Sequence, residues 1–150
     1  MTIAIACDHG GVELKNYLID FLKLKGFQVM DLGTNSTESV DYPDFAFKAC
    51  NQVVEGKAKY AVLICKTGSG MVISANKVKG ILAVNCLTTE MALLARKHNN
   101  ANSLCLGAGL ISKEKAKEIV LSFLSTDFEA GRHERRINKI KKIEESELNH

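Results

Sequence analysis

Nowhere among the 150 residues is there an apolar run long enough to span a bilayer. The start, Met1-Thr-Ile-Ala-Ile-Ala, lacks the basic n-region and long apolar core of a secretory signal, and reads instead as a strand. A cytoplasmic protein with no membrane contact is expected. The five cysteines (Cys7, Cys50, Cys65, Cys86 and Cys105) are odd in number, and no two are spaced as CxxC. That argues against a disulfide framework and a zinc site, so no metal is expected. Cys7, Cys65 and Cys105 sit in or beside apolar runs, and buried free thiols in a reducing compartment are the simple reading. Strong charge of one sign is also missing, the formal net charge being +3. A nucleic-acid footprint needs clustered charge, so no such partner is expected. The GxxxxGK[ST] and GxGxxG fingerprints are absent, and with them the ordinary signs of a nucleotide cofactor. Proline occurs once, and there is no repeat, low-complexity stretch or linker.

What remains is an ordinary globular composition, 46% hydrophobic and 25% charged, in a chain sized for one domain over 1–150. Short apolar runs predict strands at 3–7, 27–30, 60–65, 81–85 and 103–107. Between them, Leu14, Leu18, Phe21 and Leu22 recur at helical spacing up to Gly26. Pro43 suits the first turn of a helix running towards Gly56. A short helix is predicted at about 71–78. Thr88 or Thr89 would cap a helix whose inward stripe is Met91, Leu94, Ala95 and His98. Ser112 begins a fifth helix, and a last one covers 132–148. Strands alternating with helices predict an α/β, Rossmann-like three-layer sandwich: a five-stranded parallel sheet covered on both faces, with a C-terminal helix. Such sheets bind ligands at the carboxyl ends of their strands. That directs attention to the turns after Cys7, Cys65, Val84 and Leu106.

Asp8 and His9 follow the first strand, with Gly10 and Gly11 behind them. An Asp helix cap with an incidental His accounts for the pair, and so does a ligand site approached closely by backbone. Cys65-Lys66-Thr67-Gly68-Ser69-Gly70 follows the third strand and feeds a helix. Its N–H groups form a cradle for a phosphate or a developing oxyanion. A cysteine at the mouth of such a cradle is either a buried strand-end residue or a reactive thiol. His98 reads equally as a core or capping histidine. In the last helix, Ile137, Ile140, Ile143 and Leu148 define an apolar arc, and basic charge is concentrated from Arg132 to Lys142. At about 100° per residue, Arg136 falls between Ile143 and Ile140, with Arg132 at the edge of the arc. The two arginines should therefore share a partly buried face. Two converging guanidinium groups there would pair with acidic residues or hold a bound phosphate, whose geometry matches their forks.

Taken together, Cys7-Asp-His-Gly-Gly, Asp41-Tyr-Pro-Asp44, Cys65-x-Thr-Gly-x-Gly70, Ala75-Asn-Lys77, His98-Asn-x-Ala-Asn102 and Gly131-Arg132-His133-Glu134-Arg135-Arg136 resemble the ribose-5-phosphate isomerase B family. The related galactose-6-phosphate isomerase subunits share its fold. The resemblance covers essentially the whole chain. It implies aldose–ketose isomerisation of a sugar phosphate without cofactor. It also implies a homodimer or a dimer of dimers, with active sites at the interface. Cys65 would move a proton between C2 and C1, and Thr67 would shuttle protons or position substrate oxygens. The backbone of Thr67, Gly68, Ser69 and Gly70 would stabilise the enediolate. His98, with Asp8 nearby, would open the furanose ring, and Asn99 would contact the sugar. His9, Arg132 and Arg136 would hold the phosphate.

Two positions depart from the family pattern. Lys66 stands where the family has glycine, and Gly109 where it commonly carries arginine. The expectation is that Lys66 replaces the missing cation. Asn100 stands in place of an aspartate. A six-carbon sugar-phosphate isomerase (allose or galactose 6-phosphate) and a non-catalytic sugar-phosphate binder are the competing readings.

Overall fold

The computed structural model describes residues 1–148. Two strands, β1 (Thr2–Cys7) and β3 (Tyr60–Cys65), are apolar almost throughout and buried on both faces. That pattern belongs to the centre of a parallel sheet, not to a strand with one wet side. With β2 (Gln28–Asp31), β4 (Ala83–Asn85) and β5 (Ser103–Gly107) they form one sheet in the order β2-β1-β3-β5-β4, every pair parallel. Side chains alternate across it. Ile3, Ile5, Val62 and Ile64 pack under α1 (Val12–Leu24), α4 (Thr89–Asn99) and α5 (Lys113–Leu124). Ala4, Ala6, Ala61 and Leu63 pack under α2 (Tyr42–Val54) and α3 (Ser69–Ala75). The second face is rich in alanine, with Ala46 and Ala49 on α2 itself, so that helix lies close to the sheet. No helix among the described residues is long and apolar enough to cross a membrane.

The chain leaves β1 towards β2 and returns to β3 on the other side. The switch point, and the crevice it opens, therefore lies between the carboxyl ends of β1 and β3. A second consequence follows from α4. It joins two adjacent parallel strands, so it must run back against them. Thr88 caps it at the carboxyl edge of the sheet, with Oγ1 accepting from Met91 N at 3.1 Å. Its last residues, His98 and Asn99, arrive at the amino edge. The last helix, α6 (Arg132–Leu148), crosses that same edge. The turn leading into it meets the end of α4, where Glu129 N–H donates to Lys97 O at 3.0 Å. The helix then reaches the lead-in to β4, where Gly80 N–H donates to Glu144 Oε1 at 3.3 Å.

Some elements depart from their sequence-based boundaries. β4 begins at Ala83, not at residue 81, because the N–H groups of Leu82 and Ala83 are taken by Asn102 Oδ1 and Asn76 Oδ1, both at 2.8 Å. α3 begins and ends earlier than 71–78. The buried face of α4 is Ala92, Ala95 and Arg96, while Met91 is exposed and His98 half-buried. On α6 the inward residues are His133 and Ile137, one turn apart. Arg132 and Arg136 each lie one position, about 100°, round from them. The expected partly buried arginine face is therefore exposed to solvent in the single chain. Ile140 (45%), Ile143 (64%) and Leu148 (59%) are uncovered as well.

Candidate active site

Asp8 is 7% exposed and caps the short 3-10 turn His9–Gly11, its Oδ1 accepting from Gly10 N at 2.9 Å. The cap reading is thus correct, and it occupies one carboxylate oxygen. His9 is exposed, and its Nδ1 accepts from Val40 N at 3.2 Å. That bond assigns the proton of the neutral ring to Nε2, leaving a donor for a ligand.

Across the crevice, Cys65 ends β3 and is 5% exposed. Gly68 N–H donates to its Sγ at 3.1 Å, a geometry that stabilises charge on sulfur. Burial pushes Cys7, Cys50 and Cys86 up to about 12, and Cys105 well above its ordinary value, so they stay thiols.

The Gly68 bond depends on backbone that only glycine adopts readily, with φ at +84°. Thr67 is exposed, and its Oγ1 accepts from Ser69 N at 3.3 Å. Two neighbouring strands hold this turn. Asn85, at the end of β4, donates from Nδ2 to Thr67 O at 3.1 Å. Gly107, at the end of β5, lies so close that a Cβ there would meet Thr67 O at 2.6 Å. Gly70 is covered by the ring of Tyr42. Beside them, Ala108 N–H donates to Cys65 O and Gly109 N–H to Lys66 O, both at 2.8 Å. The stem of Lys66 crosses Gly109, and a Cβ at 109 would lie 3.2 Å from its Cγ.

Asp8, His9, Cys65, Thr67, Gly68, Ser69 and Gly70 therefore gather at the carboxyl edge. His98, Asn99, Arg132 and Arg136 do not join them within one chain. They collect at the amino edge, where the His98 and His133 rings stack at 4.2 Å between centroids. The thickness of the sheet, about 3.3 Å for each residue of the six-residue β3, separates the two groups. Asp8 and His98 of one chain therefore lie at opposite edges, so an Asp8–His98 pairing of the kind the resemblance implies would have to form between chains.

Comparison of the whole chain with known proteins gives its family. A family model described as Ribose/Galactose Isomerase matches residues 3–140. The chain belongs to the ribose/galactose isomerase family. It is 41% identical over 143 residues to ribose-5-phosphate isomerase B of Escherichia coli, covering 95% of this chain and 96% of that protein. The structure of ribose-5-phosphate isomerase B from Clostridium thermocellum superposes with a TM-score of 0.96 at 45% identity, covering 97% of this chain and 99% of that one. The Mycoplasma genitalium isomerase B, solved with bound ribulose-5-phosphate, superposes with a TM-score of 0.93 at 44% identity, with 96% of each chain covered.

Several buried polar residues around these two groups were not singled out from sequence. Lys15 is fully buried, with Nζ 2.7 Å from both Asp31 Oδ1 and Asn35 Oδ1. It ties α1 to the segment following β2, and its position three before Leu18 within the apolar stripe was the available signal. Arg96 is 6% exposed and bonds Thr126 O at 3.0 Å and Ala101 O at 2.6 Å, while its guanidinium lies 4.9 Å from the Tyr60 ring centroid. It fixes the end of α4, and its spacing four after Ala92 marked it. His133 is 7% exposed. Burial first, then the nearby His98 and Arg132, lower its pKa from the ordinary range. No cluster of three or more metal-ligating side chains occurs among the described residues.

Proposed function

We propose that this chain interconverts D-ribose 5-phosphate and D-ribulose 5-phosphate through an enediolate, in the non-oxidative pentose phosphate pathway of the cytoplasm, with no metal or nucleotide cofactor. The observation that carries the reading is Cys65, at the end of β3 beside the crevice, whose sulfur accepts the Gly68 N–H. As a thiolate it takes the proton from C2 of the open-chain aldose and returns it to C1. Charge on the intermediate's oxygen falls on the N–H groups of the 67–70 turn, already held by Asn85 and Gly107. Thr67 exchanges protons between the two substrate oxygens. His9 donates from Nε2 to the phosphate. That remote handle orients the reacting carbons.

The other half of the site comes from a second copy of the chain. His98, which with Asp8 opens the sugar ring, lies at the wrong edge to serve its own Cys65. So do Asn99, Arg132 and Arg136. A homodimer, alone or paired into a dimer of dimers, brings one chain's amino edge to the other's carboxyl edge. The exposed apolar residues Tyr42, Phe47, Ile73, Ile140 and Ile143 supply surface for such an interface. There the two exposed arginines become the partly buried phosphate clamp that their spacing suggested. Lys66, lying across Gly109, adds a cation on the carboxyl-edge side.

The decisive experiment is conversion of ribose 5-phosphate by purified protein in EDTA, beside Cys65→Ala. Robust turnover in the parent, abolished in the variant, is expected. Activity that survives the substitution removes Cys65 as the base. Turnover of allose 6-phosphate but not of ribose 5-phosphate moves the assignment to a six-carbon substrate. Tight binding of either sugar without turnover makes the protein a binder.

A further inference from the structure

Outside the residues given roles above, His133 is the buried titratable side chain in direct contact with one of them. Its ring and that of His98 are nearly parallel, 14° apart, with centroids separated by 4.2 Å. The contact is prepared by the backbone on its N-terminal side. Ala130 and Gly131 both have positive φ, 56° and 55°, which turns the chain sharply into α6. An alanine in that conformation persists only where its surroundings hold it. Here Glu129 N–H is bonded to Lys97 O, and Ala130 O accepts from His133 N, each at 3.0 Å. On the C-terminal side, buried Ile137 fixes the next turn of α6. His133 is therefore held from both directions, whereas His98 sits half-exposed near the end of α4.

We propose that His133 is a positioning residue, which sets the plane of the His98 imidazole by covering one of its faces. The proposal rests on the ring-opening role assigned to His98. An aromatic ring suits this task because ring pairs favour a few defined arrangements, offset-stacked or edge-to-face, and this pair is stacked. Burial, the cationic Arg132 and Arg136 on its own helix and the His98 ring on α4 all favour the uncharged form, against Glu129 in the turn. An uncharged ring supports His98 without repelling the proton it transfers.

The test compares His133→Phe, which keeps a flat buried ring, with His133→Leu, which keeps the volume and loses the ring. His98→Asn is the reference. Steady-state kinetics on ribose 5-phosphate are measured together with the chemical shift of the His98 Hε1 proton. The expected result for His133→Leu is a kcat about tenfold lower with KM within about twofold, and loss of the ring-current shift on Hε1. His133→Phe restores kcat to within about threefold of the parent and keeps the shift. A folded His133→Leu protein with unchanged kcat, beside an inactive His98→Asn, overturns the proposal. So does a His133→Phe variant that keeps the ring-current shift but stays as slow as His133→Leu. An active His98→Asn variant instead overturns the ring-opening role, while the Hε1 shift still reports whether the stack holds.

Discussion

Replacing Gly107 with alanine presses on the backbone of the catalytic turn while leaving every side chain given a chemical role unchanged. The added Cβ would stand 2.6 Å from Thr67 O, 2.7 Å from its carbonyl carbon and 2.9 Å from its Cα. All three are backbone atoms, so no side chain can rotate away. Ordinary contact begins near 3.4 Å, so the Thr67 peptide must retreat by about 0.8 Å. That peptide precedes the N–H that Gly68 gives to Cys65 Sγ. A displacement approaching 1 Å at a reacting centre lowers rate by about 10²-fold, or about 2.7 kcal/mol of barrier. Overpacking of a well-filled site costs about 1–3 kcal/mol of stability. For a chain of this size that is about 2–4 °C in Tm per kcal/mol. Ketose formation followed continuously gives kcat/KM, and calorimetry gives Tm. A Gly107→Ala protein with unchanged Tm and kcat/KM within about threefold of the parent would refute the claim that β5 holds the turn in place.

The Lys15–Asp31 ion pair, buried on the lysine side and 37% exposed on the aspartate side, should respond asymmetrically. Asp31→Ala leaves the fully buried Lys15 ammonium without its carboxylate and should lower stability by about 3–5 kcal/mol. Lys15→Met leaves a carboxylate that water can reach and should cost less, as urea midpoints will show. At the crevice, Lys66→Gly should raise KM by about tenfold, the worth of a modest charge-assisted bond. Gly109→Arg alone should impair the enzyme by displacing the Lys66 stem, and in the Lys66→Gly background it should restore KM. Finally, His133 binds a proton less readily folded than unfolded, so its contribution to stability is complete above the ordinary histidine pKa of 6.5 and is lost as pH falls below it. Urea midpoints measured at about pH 7.5 and about pH 5.5 should diverge less in His133→Phe than in the parent.

β3 and β5 were legible to the residue, because an uninterrupted apolar run closed by a turn admits one interpretation. α4 was harder. Of its expected stripe of Met91, Leu94, Ala95 and His98, Ala95 is buried, but the inward face also holds Ala92 and Arg96, and the partners of Arg96, Thr126 and Tyr60, are remote in sequence. Periodicity ranks side chains by polarity, so it moves a satisfied guanidinium to the surface. The arc of α6 was correct as a pattern, but a pattern does not say which part of an arc its own chain covers. The division of the site was available in principle. A helix joining adjacent parallel strands runs backwards, so a histidine at its end lies far from the strand tips. Motifs compared as a set carry no topology, so the resemblance implies a site at an interface without saying which residues share a chain.

That division has a genetic corollary. Cys65 and His98 of one polypeptide serve different reaction centres under the proposed pairing, so lesions at the two positions should complement each other. Subunits carrying Cys65→Ala and subunits carrying His98→Asn, each inactive alone, would on mixing form hybrids with one centre built wholly from intact halves. Recovery of turnover would appear at the rate at which subunits exchange. It would fade on dilution, as two-component assemblies do.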